Sequence, residues 1–120
     1  MADKLAIIIE DNADIARVYA TTLEMNGFET EVVSDGQRAL QVLETSLPQL
    51  IVLDMNLPQI SGHYLYKSIR ANARLANTAV FIATANTIVA NALAPDVSPQ
   101  DHICIKPVSP AELREFARKL

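Results

Sequence analysis

Three acids, one hydroxyl and one amine stand directly after short apolar runs, at the points where strands of a sheet would end. They are Glu10 and Asp11 after the first run, Asp54 after the third, Thr84 after the fourth and Lys106 after the fifth. Ligands of an open parallel sheet bind beyond the carboxyl ends of its strands. These side chains are therefore predicted to gather at one edge of a sheet.

The charges of these residues decide what chemistry such an edge can support. Two like charges about 4 Å apart repel by roughly 4 kcal/mol at an effective dielectric constant of about 20, so three converging acids need a partner or a raised pKa. Lys106 supplies only one positive charge. A hard divalent cation such as Mg²⁺ would balance the rest, because it binds carboxylates, water and phosphate oxygens. Such an arrangement suits phosphoryl transfer.

Each of these residues also has an explanation that involves no chemistry. Glu10 and Asp11 could favour the start of the following helix, where backbone N–H groups attract acids. Asp54 could be a turn former, Thr84 a β-branched strand residue and Lys106 a solvated amine. It is the combination that favours a functional site.

The apolar runs themselves predict the fold class. Their shortness and β-branched content favour strands, and their lack of polar alternation indicates strands covered on both faces, as in a parallel sheet. The stretches between them have the apolar spacing of helices. The expected strands include residues 5–9, 30–33, 50–53, 79–83 and 103–105. Five strands and five helices in strict alternation predict an α/β fold with one doubly wound sheet.

Several helix ends are marked in the sequence. Gly27 is the expected C-terminal cap of the first helix, where glycine accepts a left-handed backbone. Residues 109–112, Ser-Pro-Ala-Glu, have the pattern of a capping box with proline at the first helical position. Pro95 and Pro99 interrupt the helix that begins near Ile88, so the fourth helix is predicted to be short or irregular.

With these elements in place, the whole chain resembles the receiver domains of bacterial two-component systems. The matching motifs are Glu10-Asp11 after a hydrophobic strand, Asp54 in the segment 53–58 with Gly62 completing the loop, Thr84-Ala85, and Lys106-Pro107. The resemblance implies a single receiver domain over residues 1–120. It also implies a flavodoxin-like sheet with strand order 2-1-3-4-5.

The resemblance assigns a role to each residue of the predicted site. Asp54 would be the phosphoacceptor, and Thr84 and Lys106 would contact the phosphoryl oxygens. The ligands of Mg²⁺ would be Glu10, Asp11, Asp54 and the backbone carbonyl of Asn56. Ala85 would leave room for the donor, and the bond before Pro107 would be cis.

The resemblance also implies how such a domain works. It would take its phosphoryl group from a sensor histidine kinase or a phosphotransfer protein, and would catalyse only its own phosphorylation and dephosphorylation. The phosphoryl group would draw the Thr84 hydroxyl toward it and shift the face made by helix four, strand five and helix five. The signal would then pass to a downstream target or a fused output domain.

Two features bear on that switch. The aromatic residue that relatives have on strand five is Ile103 here, which cannot swing a ring, so signalling through an altered surface is expected. His102 should face the opposite side of the strand. Asn56 and Asn86 occupy positions that tune phosphoaspartate hydrolysis in relatives, but they could equally be turn and cap residues.

Composition narrows the class of protein. The chain has 120 residues, a net charge of −4 and one cysteine, which fits one globular domain without disulfides. A basic stripe for nucleic acid is missing from the sequence, and the first apolar run is too short for a signal peptide or a membrane span. We therefore expect a cytoplasmic location without direct nucleic-acid or membrane partners.

Two other readings are open. A haloacid-dehalogenase-like phosphatase also uses an Asp, a Thr and a Lys at strand ends, but it needs an acid two residues after the nucleophile, where this chain has Asn56. A phosphorylation-independent interaction module of the same fold is the other alternative; the intact set of acids argues against it, whereas Ile103 and the disturbed fourth helix keep it open. A flavin site is disfavoured because the loop after strand one is acidic.

Overall fold

The computed structural model describes residues 4–58 and 60–120. Strands and helices alternate along the chain. In order they are β1 (Lys4–Ile9), α1 (Ala13–Glu24), β2 (Phe28–Val33), α2 (Gly36–Leu43), β3 (Leu50–Asp54), α3 (Gly62–Ala71), β4 (Ala79–Thr84), α4 (Thr87–Leu93), β5 (His102–Ile105) and α5 (Pro110–Ala117). Single 3₁₀ turns at Ala73–Leu75 and Ala94–Asp96 follow α3 and α4.

The five strands form one parallel sheet in the order β2-β1-β3-β4-β5. Every residue of β3 and β4 is buried, which explains why these runs are apolar without alternation. The expected doubly wound, flavodoxin-like fold is confirmed, with its strand order and its five helices. In the part of the chain that the structure describes, no helix combines the length and the apolar character needed to cross a membrane.

The helices cover both faces of the sheet. Helices α2, α3 and α4 pack on one face, where Leu43, Leu65 and Leu93 meet the side chains of the central strands. Helices α1 and α5 pack on the other face through residues such as Leu23 and Leu113. Because both faces are filled, polar groups of the central strands reach solvent only at the strand ends.

The predicted helix ends are largely confirmed. Helix α1 ends at Glu24 with Met25 as its C-cap, and Gly27, in the turn that follows, has a φ of +88°, a conformation that suits glycine best. Ser109 caps α5 by accepting the N–H of Glu112 at 3.0 Å. The second half of the expected capping box is replaced, because the Glu112 carboxylate lies 3.0 Å from Nε2 of His102.

Helix α4 is short, as predicted, and the chain that follows it is tied down by a buried carboxylate. Asp101 Oδ1 accepts the N–H of Val80 at 2.8 Å, and its Oδ2 accepts the hydroxyl of Tyr66 at 2.6 Å. The same hydroxyl accepts the N–H of Ser98 at 3.0 Å. Arg70 adds a charge 3.6 Å from Asp101 Oδ2. This network joins α3, β4 and the approach to β5.

We predict that Tyr66→Phe lowers the free energy of unfolding by roughly 1–3 kcal/mol, because Asp101 and Ser98 lose a buried hydrogen-bond partner. Urea denaturation of the purified domain measures this. The matched control is Tyr64→Phe on the same helix, whose side chain is exposed and should change stability by less than about 0.5 kcal/mol. Equal effects at the two positions would contradict a structural role for the network.

Candidate functional site

The polar residues predicted to meet do lie at one edge of the sheet. Asp54 and Thr84 are the last residues of β3 and β4, and Glu10 directly follows β1. The register pairs Ile9 with Leu53, so the positions of Glu10 and Asp54 are adjacent. Glu10, Asp54 and Thr84 are all buried, although they are polar. Burial of this kind requires compensation by hydrogen bonds or opposite charge.

The three carboxylates converge as expected. Glu10, Asp11 and Asp54 each offer one oxygen, and these oxygens lie within 4.8 Å of one another. Asp11 is exposed, so the cluster opens to solvent on one side. Among the described residues this is the only group of three or more acids, histidines or cysteines close enough to share a cation. His63 and His102 are not part of this group.

Lys106 brings a positive charge into the cluster. Its Nζ lies 3.0 Å from Asp54 Oδ1 and 3.6 Å from Glu10 Oε1. Burial alone would lower the pKa of this amine, but its hydrogen bond and attraction to Asp54 and its attraction to Glu10 raise the pKa overall. The ammonium therefore keeps its charge at neutral pH. The Lys106–Pro107 bond is cis, as the resemblance implied.

Glu10 is the least compensated acid of the cluster. Its Oε2 accepts the N–H of Asn12 at 3.2 Å, whereas its buried Oε1 has no hydrogen-bond partner among the described residues. Burial, reinforced by the negative charge of Asp54, raises the pKa of Glu10 to about 7 even though Asn12 and Lys106 oppose the change. A buried, unsatisfied carboxylate oxygen next to two further acids fits a divalent cation.

The loop after β3 holds Asp54 in place. Asp54 Oδ1 accepts the N–H of Asn56 at 3.0 Å in addition to the bond from Lys106. Gly62 packs directly on this loop, since a Cβ atom at Gly62 would lie 2.6 Å from the Cα of Met55. Only glycine fits there without a shift of the backbone. The role of the Asn56 carbonyl as a metal ligand stays a prediction.

Thr84 lies on the neighbouring strand, one residue beyond the register partner of Asp54, which is Ala83. Its Oγ1 accepts the N–H of Asn86 at 3.1 Å. Ala85, the next residue, is exposed and small. The hydroxyl is thus held at the same edge as the acids, and the role of Ala85 in leaving room for the donor stays a prediction.

Tyr19, on α1, is a neighbour of the site that was not among the site residues predicted from the sequence. It lines a groove of about 430 Å³ between α1 and the segment 106–108, together with Ile15 and Val18. Burial and the negative charges of Glu10 and Asp54 raise the pKa of its phenol. The sequence does indicate which face of α1 carries Tyr19, because this residue follows Ile15 by one helical turn and so shares its face.

Two residues of β5 face opposite sides of the sheet, as expected. Ile103 packs toward the face covered by α4, while the His102 ring stands near the rings of Phe81 and Phe116 on the α5 side. The next residue, Cys104, is buried, and burial raises the pKa of its thiol to about 12. Cys104 is therefore an inert core residue.

Known structures share this architecture. The receiver domain of a sensor histidine kinase from Pseudomonas aeruginosa, solved with a magnesium ion coordinated in its active-site cleft, is 24% identical and superposes with a TM-score of 0.83 over 98% of this chain and 97% of that one. A chemotaxis response regulator of Vibrio cholerae is 22% identical, with a TM-score of 0.84 over 97% of each chain. At these identities the likeness shows the fold, a CheY-like flavodoxin fold.

Sequence comparison gives the family. The response regulator receiver domain family matches residues 6–118, so this chain belongs to that family of two-component signalling domains. It is 29% identical over 117 residues to a protein of Cyanophora paradoxa described as a probable transcriptional regulator, covering 98% of this chain and 48% of that protein. It is also 29% identical over 107 residues to the DNA-binding response regulator MtrA of Mycobacterium tuberculosis, covering 89% and 46%.

These relatives are longer than the chain described here. The chain spans about half the length of the curated relatives it matches. Their names refer to transcription and DNA binding, and these descriptions apply to the full-length relatives.

We predict that Mg²⁺ binding weakens as the pH falls below about 7, because Glu10, whose pKa is raised to about 7, must lose its proton before it can bind a cation. Between pH 8 and pH 6 the affinity should fall by roughly tenfold, as one carboxylate becomes protonated. Isothermal titration calorimetry at both pH values measures this. Glu10→Gln should bind more weakly and lose most of the pH dependence, and an affinity independent of pH in the natural domain would contradict the prediction.

Proposed function

We propose that this receiver domain accepts a phosphoryl group on Asp54 from a histidine kinase or a phosphotransfer protein, in a reaction that depends on Mg²⁺. The observation that carries the proposal is the Lys106 ammonium 3.0 Å from Asp54 within a cluster of three acids. A half-buried lysine bound to one carboxylate in this way would be a structural ion pair if it stood alone. The additional acids give the cluster an excess of negative charge that a structural pair does not need.

Asp54 fits the role of acceptor because it is both buried and positioned from several sides. Its backbone ends the central strand β3, and its Oδ1 is held by Lys106 and by the N–H of Asn56. In the proposed reaction an Asp54 oxygen bonds to phosphorus as the phosphorus–nitrogen bond of the donor phosphohistidine breaks, and the electron pair of that bond leaves with the imidazole. Lys106 and the Thr84 hydroxyl bind the phosphoryl oxygens.

The residues that would hold the metal are Glu10, Asp11, Asp54 and the backbone carbonyl of Asn56. The unsatisfied Oε1 of Glu10 supports this assignment, and so does the magnesium ion of the Pseudomonas aeruginosa receiver domain. When bound, Mg²⁺ would neutralise the negative charge that the transferring phosphoryl group brings to the acids. Lys106 would supply the remaining positive charge.

The phosphatase alternative gains no support from the site. The residue two positions after Asp54 is Asn56, an exposed amide without a proton to give to a leaving group. The domain is thus a signalling module whose only proposed catalysis is its own phosphorylation and dephosphorylation.

The proposed domain covers residues 1–120, and the family match over 6–118 supports this extent. Its partners would be the phosphodonor and a downstream target or fused output domain. The absence of nucleic-acid and membrane partners and the cytoplasmic location stay predictions.

We predict that incubation with acetyl phosphate and Mg²⁺ adds the mass of one phosphoryl group to the domain. Intact-mass spectrometry measures the product, and hydroxylamine should remove it, as expected for an acyl phosphate. Asp54→Asn should abolish labelling, and chelation of the metal should suppress it. The matched control is Asp96→Asn, an exposed acid after α4, which should label normally. Labelling that persists in Asp54→Asn would place the acceptor elsewhere.

We further predict that Lys106→Ala slows labelling by roughly a hundredfold, the usual scale for removing one group that stabilises developing charge. The fold should survive, because the Lys106 side chain is at the edge of the sheet. Circular dichroism checks the fold, and the rate of mass gain gives the effect. Lys4→Ala removes a lysine at the opposite end of β1 and should leave the rate within about twofold of the natural domain. Equal rates for the two variants would contradict the role proposed for Lys106.

A further inference from the structure

The groove between α1 and the segment that carries Lys106 has the size and lining of a small-molecule site. Its volume is about 430 Å³, within the range of roughly 300–1,000 Å³ that is usual for such sites. Lys106 is the only charged residue among the described residues that line it. The rest of the lining is apolar or aromatic and consists of Ile15, Val18, Tyr19, Pro107 and Val108. This lining matches a ligand with an apolar body and an anionic end.

The groove lies on the side of the sheet toward which the phosphoacceptor points. Val52 and Cys104 pack with Tyr19 on the face that α1 and α5 cover. Side chains two residues apart along a strand share a face, so Asp54 and Lys106 also point to that side. Lys106 belongs to both places, because it lines the groove and its Nζ lies 3.0 Å from Asp54 Oδ1.

Tyr19 gives a second link between the groove and the site. It lines the groove, and its phenol is close enough to Glu10 and Asp54 for their negative charges to add to the effect of burial and raise its pKa. The groove therefore extends to the flank of the acid cluster. Its neighbour Val18 is 47% exposed, so part of the apolar lining is open to a ligand from solvent.

Acyl phosphates have the two chemical features that these surfaces match. In transfer from such a donor an Asp54 oxygen bonds to phosphorus as the bond between phosphorus and the acyl oxygen breaks. The electron pair of that bond leaves with the carboxylate of the acyl group. The phosphoryl end is an anion suited to Lys106, and the acyl end adjoins the groove. An aromatic acyl group buries apolar surface against such a lining, whereas the methyl of an acetyl group buries little.

We propose that the groove is a donor-selecting subsite, which receives the acyl group of an acyl phosphate and favours aromatic acyl phosphates over acetyl phosphate. This inference rests on the proposed function, since it concerns the donor of the group that Asp54 accepts. Contacts with the acyl group are present before as well as during transfer. They therefore lower the donor concentration needed for half of the maximal rate and leave the maximal rate to the chemistry of the donor.

The test compares benzoyl phosphate with acetyl phosphate as donors to the natural domain in the presence of Mg²⁺. Intact-mass spectrometry gives the rate of labelling over a range of donor concentrations. The half-saturating concentration of benzoyl phosphate should be lower by roughly tenfold, the scale of discrimination by an apolar pocket. The two donors differ in intrinsic reactivity, which changes the maximal rate and not this concentration.

Val18→Asn replaces an exposed apolar group of the lining with a polar one of similar size. It should reduce the advantage of benzoyl phosphate by roughly threefold, because the acyl group loses part of its apolar contact. The matched control is Val32→Asn on β2, whose valine is also exposed, at 46%, and does not line the groove. The control should keep the full advantage, and circular dichroism checks that both variants fold.

Binding of the acyl end is also measured without any transfer. Phenacylphosphonate replaces the labile bridging oxygen of benzoyl phosphate with a methylene group, and in amide NMR it should shift Ile15, Val18 and Val108. Equal half-saturating concentrations for the two donors, or equal losses of the advantage in Val18→Asn and Val32→Asn, would overturn the subsite. If neither donor labels Asp54, the proposed function itself fails, which is a different result.

Discussion

The balance of charge around Asp54 is the constraint on which the rest of the structure depends. Three carboxylates share one edge of the sheet with a single ammonium group, and two of these acids, Glu10 and Asp54, are buried. Such an arrangement is costly in a protein interior. It is tolerable here because the strands end at this edge, so that backbone N–H groups of the following loops and the side chain of Lys106 reach the carboxylates.

The fold accounts for how residues so far apart in the sequence come together. In a parallel sheet every strand runs in the same direction, so all carboxyl ends lie on one side. The order β2-β1-β3-β4-β5 then sets β1 and β4 on either side of β3. Glu10 and Thr84 therefore flank Asp54 without any long loop having to bring them there, and the apolar strands below keep their spacing fixed.

Much of this could be predicted from the sequence, because strands covered on both faces leave an unmistakable apolar run and their ends are marked by the first polar residue. The position of each site residue at a strand end followed directly. What could not be predicted was pairing between side chains far apart in the chain. Tyr66 and Asp101 are 35 residues apart, and neither residue type signals its partner. Glu112 likewise matched a capping box, but the nearby His102 ring offered its carboxylate a closer partner.

The bond between Tyr66 and Asp101 also determines what kind of motion α4 can make. Asp101 is anchored to the backbone of β4 through Val80, and the same phenol holds the backbone of Ser98. The chain between α4 and β5 is therefore fixed to the sheet at Ser98 and Asp101. Because these bonds lie beyond the end of α4 at Leu93, a tilt of the helix is compatible with them, whereas a slide of the whole segment along the sheet would break them.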